Sequence, residues 1–488
     1  MAPDMRADAA PDADRPGRVE VRGIELIPDE DRHGSPREVF WIWVGANTAF
    51  TYIFLGGLMI ILGLNVWQAI SAVVVGNLFY LLIGALAIPG PRAATAQIVI
   101  SRAQYGRRGN QLPAFLQWIN LVGYEAINFS IGAFALYSLA DFAGWRIGDV
   151  GKAVLLGLVI VVTFTIALLG HATIVVFQKW LAYALGIAAI VLFVFVARHA
   201  DLGYQPQAPL HGGALLAVWL LGVTIISSAP LSWCGMAADY TRYMRRDTRP
   251  RSIVLNTAIG CLLPSIGLSV LAVLAGTAVD MTDPTTSMRS LMPHWFYPLF
   301  LGIVALGAIT NNVLGVYSSG LSLQTLGLKV PRWQSIWIDA LIGGAMTVYA
   351  IFISNFLNTL TEFFQFMLWW YAPFTAIFLL DVWFRRNRYD GVDLLRVAGG
   401  RYWFRGGFNW RGITALVAGM AAAAAFATTT HWKSPITKQL GDTDVSGWAG
   451  LIVGGVVYYV LMRGYPYERD SERSAIEVDA GVLEQATP

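Results

Sequence analysis

The sequence predicts an all-α integral membrane protein with twelve transmembrane helices, and two observations carry this prediction. Hydrophobic residues make up 56% of the 488 residues and charged residues only 13%, about half the charged share of a soluble protein. The charges also leave long gaps, since none lies between Val39 and Pro91 or between Trp295 and Leu328. A helix crosses a bilayer in about 20 residues, so the first gap has room for two spans. A large soluble enzyme would need charged outer faces that these stretches lack.

Basic residues in the loops predict how the spans are oriented. The loops on one side hold eighteen Lys and Arg residues, and the loops on the other side hold six. Because cytoplasmic loops carry the excess of positive charge, both termini are predicted to be cytoplasmic. The first 38 residues have no apolar stretch of the kind a cleavable signal peptide needs. The expected helices lie near 39–62, 66–88, 112–140, 151–170, 173–197, 213–241, 252–278, 295–325, 334–354, 358–382, 411–430 and 446–463.

Other features of the composition exclude several functions. The net charge of +3 gives no indication of a nucleic acid partner. The two cysteines, Cys234 and Cys261, fall inside hydrophobic segments, so neither a disulfide framework nor a zinc site is expected. The predicted spans lack the cluster of titratable groups that an enzyme needs, and they lack the repeated pore-lining motif of a channel. These exclusions favour a secondary transporter.

Two predicted spans are interrupted by small and polar residues. Residues 45–48 of the first span read Gly-Ala-Asn-Thr within an otherwise apolar helix. In the sixth span, Pro230 removes a helical hydrogen bond and Gly235 loosens the turn. Transporters bind substrate near mid-membrane, where helices break and free backbone groups serve as ligands. If helices 1–5 and 6–10 are inverted repeats, the two breaks occupy equivalent positions in the two repeats. Together the breaks predict a central binding site.

The eighth span carries three consecutive polar side chains, Thr310, Asn311 and Asn312. Such groups need partners inside a membrane, because an unsatisfied polar group there costs several kcal/mol. Thr310 and Asn311 offer the hard oxygens that a sodium ion takes, and Asn312 offers both a donor and an acceptor. Hydrogen bonds between helices explain the same residues equally well. Spacing alone leaves both interpretations open.

The third span contains Glu125 near its middle, where an ionised carboxylate costs about 2.5–3.5 kcal/mol. Tyr124 and Asn128 are four residues apart and Glu125 and Asn128 three apart, so we expect all three on one helical face. An aromatic ring, an amide and a carboxyl group suit a flat heterocycle, which stacks on the ring while the amide reads its edge. The alternative is a protonated Glu125 that bonds to a neighbouring helix. Asp239 and Glu362 are expected to be structural.

Three groups of residues occur in an order that is typical of one family, and they run over the chain from about Glu20 to Tyr467. They are the entry segment 22–28 with Glu30, Arg32, His33 and Gly34; Trp233 with 237–243; and Asn312 with Tyr317, Ser318 and 321–324. Together they resemble the purine/cytosine permeases, which form the nucleobase:cation symporter-1 family.

The resemblance implies a ten-helix core of the leucine-transporter type, built as a 5+5 inverted repeat, with two added C-terminal helices. It also implies alternating access and symport of a nucleobase or related heterocycle (a purine, cytosine, hydantoin, allantoin or vitamin precursor) with Na⁺ or H⁺, and no cofactor. The expected division is a cytoplasmic tail (1–38), the transporter core (39–383, with repeats of about 39–198 and 213–383), a cytoplasmic connector (384–410), helices 11 and 12 (411–463) and a second cytoplasmic tail (464–488).

The resemblance also implies roles for individual residues. Trp233 and Tyr124 would sandwich the ring. Asn128 and Asn312 would bind its edge, and Phe50 would line the pocket. If sodium is used, its implied ligands come from Ala46, Ala49, Gly307, Thr310 and Asn311. The implied outer gate is formed by Phe364 and Phe366.

Two positions depart from the family pattern. The third-span stacking residue, often Trp, is Tyr124, and Gln178 stands where proton-coupled members carry an acid. Glu125 is therefore a candidate site residue, either as the missing proton site or as a counter-charge for a cationic substrate. An amino-acid or cationic-amine transporter on the same architecture is the alternative function. The expected partners are a small heterocycle and the lipid bilayer of the plasma (inner) membrane, with the protein a monomer or weak oligomer.

Overall fold

The computed structural model describes residues 16–20, 22–328, 331–352, 356–429, 432–439 and 443–467. Within these ranges the chain is helical and has isolated bridges but no β-strand, which confirms the all-α prediction. The helices that build the fold are α1 (Pro36–Asn47), α2 (Phe50–Ile61), α3 (Val66–Asn77), α4 (Tyr80–Leu86), α5 (Gln111–Phe142), α6 (Asp149–Leu169), α7 (His171–Ala197), α8 (Gly212–Ser232), α9 (Pro250–Gly276), α10 (Tyr297–Leu326), α11 (Arg332–Phe352), α12 (Phe356–Phe384), α13 (Trp410–Ala425) and α14 (Ser446–Met462).

Most of these helices are long and apolar enough to cross a membrane. Among the described residues nine spans meet this test, one of which runs from Val66 to Ala93 and joins α3 to α4. The pair α1 and α2 forms a tenth span, bent by 56° at the break between the two helices. Helices α13 and α14 are apolar but shorter, so the count of twelve spans stays a prediction.

The first span is broken because side chains compete with its helical hydrogen bonds. The Asn47 amide donates to the carbonyl of Trp43 over 2.9 Å, and the Thr48 hydroxyl donates to the carbonyl of Val44 over 2.7 Å. Ala49 is extended, with φ −124° and ψ 148°, before α2 begins. Polar side chains that bond to nearby carbonyls offer the backbone an alternative to the helix. The interruption predicted for the first span is therefore confirmed.

The sixth span is also interrupted, but its second half is not an α-helix. Helix α8 ends at Ser232, and after a turn the chain forms only a 3-10 helix at Ala237–Tyr240. The predicted helix over 213–241 was therefore too long. Pro230 lies in the last turn of α8, where its ring fixes φ and it has no N–H to donate. Past this point the backbone makes short hydrogen bonds, such as that from the Asp239 N–H to the Met236 carbonyl over 3.0 Å, and side chains hold the segment to the bundle.

Asp239 anchors the segment that follows α8. One of its carboxylate oxygens accepts the backbone N–H of Gln97 over 2.7 Å, and the other accepts the Ser318 hydroxyl over 2.7 Å. The side chain of Gln97 in turn donates to the carbonyl of Cys234 and accepts from the N–H of Ala238. Asp239 therefore has a structural role in the segment, as expected.

The helices form two main groups. Helices α1 to α4 pack against α9, and α8 packs against α3, whereas α5, α6 and α11 pack against α10. Helix α1 also contacts α10, and α12 packs with α13 and α14. At the contact between the groups, a Cβ atom on Gly307 of α10 would lie 2.9 Å from the carbonyl oxygen of Thr48. Glycine at this position therefore lets α10 approach the break in the first span.

Candidate functional site

A small cavity lies between the two helix groups, beside the break in the first span. Helices α2, α5, α8 and α10 and the turn after α8 all contribute to its wall. The lining residues are Thr51, Tyr52, Leu121, Tyr124, Ala229, Ser232, Trp233, Met236, Asn311, Asn312 and Gly315. Three of the predicted substrate residues, Tyr124, Trp233 and Asn312, thus meet at one cavity.

Neighbouring aromatic rings fix the orientation of the two aromatic side chains singled out from the sequence. The Trp233 ring meets the Trp43 ring edge to face, with centroids 5.1 Å apart and an interplanar angle of 88°. The Tyr124 ring meets the Phe363 ring in the same way, at 5.4 Å and 82°. Such pairs contribute about 0.5–1.5 kcal/mol beyond the area they bury. Tyr124 and Trp233 are therefore held in place by rings on α12 and α1.

Asn312 presents a hydrogen-bond acceptor. Its Nδ2 donates to the backbone carbonyl of Glu125 over 3.2 Å, and this contact determines which end of the amide is the donor. Its Oδ1 is buried and has no hydrogen-bond partner in the part of the chain that is described. An unmet buried acceptor costs about 1–3 kcal/mol. A ligand N–H that reached this oxygen would recover that free energy.

Asn311 links α5 to the break in the first span. Its Nδ2 donates to the carbonyl of Ala46 over 2.9 Å, and its Oδ1 accepts from Nδ2 of Asn128 over 2.9 Å. Asn128 also donates to the carbonyl of Tyr124 over 3.0 Å. The Ala46 carbonyl only accepts, so the direction of both amides is determined. Asn128 lies behind Asn311 and is not among the lining residues.

The five predicted sodium ligands do not present a free set of oxygens. The Ala46 carbonyl accepts from Asn311, and the Thr310 carbonyl accepts from Nε2 of Gln178 over 2.7 Å. The Thr310 hydroxyl donates to the Gly307 carbonyl over 2.8 Å. Sodium is a hard cation that needs oxygen lone pairs, and these amide N–H groups compete for them. These hydrogen bonds occupy oxygens that a sodium ion would use, and the predicted sodium site stays a prediction.

The structure does not bring Phe50 to the cavity. Together with Phe54 and residues 282–286, Phe50 lines a second, larger cavity, and its ring packs against that of Phe300 at 6.5 Å. Thr51 and Tyr52, the next two residues of α2, do line the central cavity, so the Phe50 side chain points to a different side of the helix. Ala49, at the bend itself, has its carbonyl engaged by the N–H of Tyr52 over 3.2 Å.

Glu125 is also absent from the cavity wall. Its side chain is fully buried, and its Oε2 lies 3.1 Å from where a Cβ atom on Gly343 of α11 would stand. Adjacent residues of an α-helix point about 100° apart. Because Tyr124 takes the face toward the cavity, Glu125 faces α11. The expectation that Tyr124 and Glu125 share one face is corrected by this geometry.

Phe366, one of the two predicted outer-gate residues, is not among the residues that line the central cavity. Phe366 is 47% exposed and has its ring 5.9 Å from that of Trp369. The side chain of Phe364 lies outside the described residues. Phe363, a described residue of the same segment, packs its ring against that of Tyr124 in the cavity wall.

Two residues near the site were missed by the sequence reasoning. Phe363 shares one face of α12 with Met367 and Trp370, which are both buried. This spacing of four and then three residues is the signal that would have placed Phe363 on the inward face of the helix. Asp339 of α11 is fully buried and accepts the indole N–H of Trp118 over 2.8 Å. An acidic residue inside a predicted span is itself a functional-site signal.

A buried cluster around Glu20 ties the N-terminal segment to the bundle. One Glu20 oxygen accepts from the hydroxyls of Tyr243 at 2.6 Å and Tyr317 at 3.0 Å and pairs with Arg242 at 3.4 Å. The other accepts the backbone N–H of His171 over 2.8 Å. These partners belong to the segment after α8, to α10 and to α7. The cluster therefore joins three elements of the fold. One of them, the segment after α8, continues from Trp233 and Met236 in the cavity wall.

Broken helices around a cavity of aromatic and amide side chains, in a bundle of membrane-spanning length, define a membrane transporter and not an enzyme. The chain belongs to the family of permeases for cytosine/purines, uracil, thiamine and allantoin, whose profile matches residues 26–450. This match confirms the family to which the motifs pointed.

Individual relatives agree with this assignment. The chain is 30% identical over 466 residues to the putative purine-cytosine permease YxlA of Bacillus subtilis, a match covering 91% of this chain and 96% of the relative. It is 25% identical over 475 residues to the purine-cytosine permease FCY21 of Saccharomyces cerevisiae, covering 91% and 86%. Among solved structures, Mhp1, a nucleobase-cation-symport-1 family transporter in a closed conformation with bromovinylhydantoin bound, superposes with a TM-score of 0.74 at 16% identity, covering 92% of this chain and 98% of Mhp1. This superposition confirms the fold class.

Proposed function

We propose that this permease imports a planar, nucleobase-like heterocycle together with a cation, by alternating access. The observation that carries the proposal is that Tyr124, Trp233 and Asn312 line the same cavity. Aromatic side chains favour a flat ring, and a carboxamide favours a ring with polar edges. The names of the relatives, which include purine-cytosine permeases, an allantoin permease and a vitamin B6 transporter, support the same class of substrate.

The unpaired acceptor of Asn312 narrows the substrate class. Its Oδ1 is buried and has no hydrogen-bond partner among the described residues. The substrate is therefore a ring that carries at least one N–H on its edge. Sites built to bond a polar group reject analogues that lack it, because the site's own group is left unpaired. Cytosine, purines, uracil, hydantoin and allantoin all carry such a donor. N-methylation at the contacting nitrogen removes it.

The same cavity argues against the alternative function. A cationic amine would require a carboxylate in the wall, and the described lining residues include none. Glu125 faces α11 and so does not serve as a counter-charge. An amino-acid substrate would need free backbone amides to hold its carboxylate. At the break in the first span, the N–H of Thr48 instead donates to the carbonyl of Val44 over 3.0 Å.

The coupling ion and the setting complete the proposal. Cation symport with Na⁺ or H⁺ is supported by the fold, because the structures that this chain resembles include a Na⁺-coupled sialic acid symporter (TM-score 0.58). The amide contacts at Ala46 and Thr310 favour H⁺ over Na⁺ as the coupling ion.

The excess of arginine in alternate loops supports cytoplasmic termini in the plasma (inner) membrane. We further propose a monomer or weak oligomer, with residues 39–383 as the transport core.

A radiolabelled uptake panel tests this proposal. The purified permease is reconstituted in liposomes and offered cytosine, adenine, uracil, hydantoin and allantoin, each beside its N-methyl analogues, with thiamine as a cationic ring. We expect saturable uptake of at least one neutral ring and a loss of uptake for one of its N-methyl isomers. An amino acid and a cationic amine complete the panel, and uptake of these compounds alone would refute the proposal.

A further inference from the structure

Two carboxyl groups of adjacent helices are buried together away from the substrate cavity. Glu125 of α5 and Asp339 of α11 are both 0% exposed. Neither oxygen of Glu125 has a hydrogen-bond partner within the described residues, and Oδ2 of Asp339 has none either. Within the described residues, the indole N–H of Trp118 donates to Oδ1 of Asp339 over 2.8 Å, and Ser319 of α10 also interacts with the Asp339 carboxyl group.

Helical geometry places the two carboxyl groups on the facing sides of α5 and α11. Trp118 and Glu125 are seven residues apart and so share a face of α5, while Asp339 and Gly343 are four apart and share a face of α11. Trp118 contacts Asp339 directly. Glu125 lies against Gly343, where a Cβ atom would stand 3.1 Å from Oε2. The two carboxyl groups also interact electrostatically.

No cation balances the pair among the described side chains around it. Helix α10, which packs against α5 over much of its length, has no charged residue. Lys152 of α6 is 41% exposed and pairs with Asp149 in the first turn of that helix. Asp381 of α12 is paired with Arg385 at 2.9 Å. The side chains of Arg332, which begins α11, and of Glu362 lie outside the described residues.

Two ionised carboxylates in this setting would be strongly destabilised. Glu125 would lose its hydration without gaining a hydrogen-bond partner among the described residues, and two like charges that share a site do not both ionise readily. A proton on one carboxyl group removes one of the two charges. The proton is taken up from the aqueous solution on one side of the membrane and returned to the solution on the other.

We propose that Glu125 and Asp339 form a proton-binding site through which this permease couples substrate transport to H⁺ movement. The proposal rests on the proposed function for its coupling role, but not for proton binding itself. The route to the substrate is short: Asn312, which lines the cavity, donates to the backbone carbonyl of Glu125 over 3.2 Å, and Tyr124 precedes Glu125 in the chain. A change in the packing of α11 on α5 therefore reaches two residues of the cavity wall.

Infrared spectroscopy of the purified full-length permease tests the site without any substrate. We expect the carbonyl stretch of a protonated carboxylic acid in the wild type at neutral pH, and its loss or shift in E125Q and in D339N. D339N keeps the acceptor oxygen for Trp118, so it serves as a second variant if E125Q folds poorly. D141N, at the exposed outer end of the same helix, is the matched control. A band that is absent in the wild type, or unchanged in both variants, overturns the proposal.

Proteoliposomes with an internal pH dye test the coupling. In the wild type, addition of a transported ring to the outside should acidify the lumen, and D141N should behave in the same way. E125Q should still exchange labelled for unlabelled ring across the membrane but should lose the acidification. The proposal is contradicted if sodium drives ring transport by the wild type without acidifying the lumen. It is also contradicted if the acidification persists in both E125Q and D339N. If no ring is transported at all, the proposed function fails while the infrared result still decides the proton site.

Discussion

The side-chain amide of Asn311 donates to the carbonyl oxygen of Ala46 over 2.9 Å, directly at the break between α1 and α2. An N–H donor therefore occupies the oxygen that a sodium ion would require there. We expect the initial rate of uptake to change by less than about twofold when choline replaces sodium, which is a difference of less than about 0.4 kcal/mol. Uptake in proteoliposomes at constant pH measures this.

The variant Asn311→Ser supplies the comparison, because it removes the amide N–H and leaves a hydroxyl oxygen beside the Ala46 carbonyl. It should gain a response to sodium if the amide is what excludes the ion. A wild-type protein whose uptake falls about tenfold without sodium would show that the amide moves aside and that this interpretation is wrong.

Removal of the indole at the cavity should abolish substrate stacking. Trp233→Ala is expected to reduce uptake below detection and to weaken binding by at least about tenfold, because it removes a large aromatic contact worth more than about 1.4 kcal/mol. Trp233→Phe should retain part of the activity. Trp67→Ala, at a tryptophan that is 63% exposed, is the matched control. Unchanged transport in Trp233→Ala, with normal amounts in the membrane, would refute the site.

The acceptor of Asn312 should decide which rings bind. Asn312→Ala is expected to weaken the binding of an N–H ring by about 10- to 100-fold, because a buried hydrogen bond is lost at a cost of about 1–3 kcal/mol. The N-methyl analogue, which lacks the donor, should bind equally weakly to both proteins. Competition for uptake of the labelled ring measures the four affinities. Asn256→Ala, on α9 away from the cavity lining, is the control, and an equal loss for both ligands would contradict the assignment.

The Glu20–Arg242 pair should keep one end of the bundle closed. Glu20→Gln weakens a buried contact that joins the N-terminal segment to the chain just past the cavity wall. Cys234 beside Trp233 is buried and serves as a native reporter once Cys261 is replaced by Ser. We expect faster maleimide labelling of Cys234 in Glu20→Gln and slower labelling when substrate is added. Glu30→Gln, at an exposed residue of the same segment, should label as the parent does. Equal labelling of all three proteins would show that the pair does not restrict access.

Crowding at Gly343 should disturb the carboxyl pair specifically. Gly343→Ala places a methyl group 3.1 Å from Oε2 of Glu125, and overpacking of this kind costs about 1–3 kcal/mol. The next residue, Gly344, meets only Ile160 at 3.9 Å, so Gly344→Ala is a control that differs by one position. The expected result is a lower melting temperature of the detergent-solubilised protein for Gly343→Ala alone. Equal melting temperatures would indicate that α11 shifts without cost.

The spans, the breaks and three cavity residues could be predicted from the sequence, and the rest could not for identifiable reasons. Charge gaps reveal apolar helices because the bilayer enforces them, and Pro230 marks an interruption because it lacks an N–H. The position of Phe50 depends on which side of α2 faces the cavity, and this follows from the packing of α2 against other helices. Glu125 was assigned to the cavity although adjacent helical residues point in different directions. Asp339 was overlooked although an acidic residue inside a predicted span is itself a signal.

Helix α5 is 32 residues long, which corresponds to about 48 Å at about 1.5 Å per residue. A hydrocarbon layer of about 30 Å is too thin for it to stand upright without projecting, so it must tilt or extend beyond the membrane at its ends. Tyr124 and Glu125 lie near its midpoint, where a tilting rod moves least. A change in the tilt of α5 would therefore displace the two ends of the helix more than its midpoint. Tyr124 would keep its place in the cavity wall while the ends of α5 move.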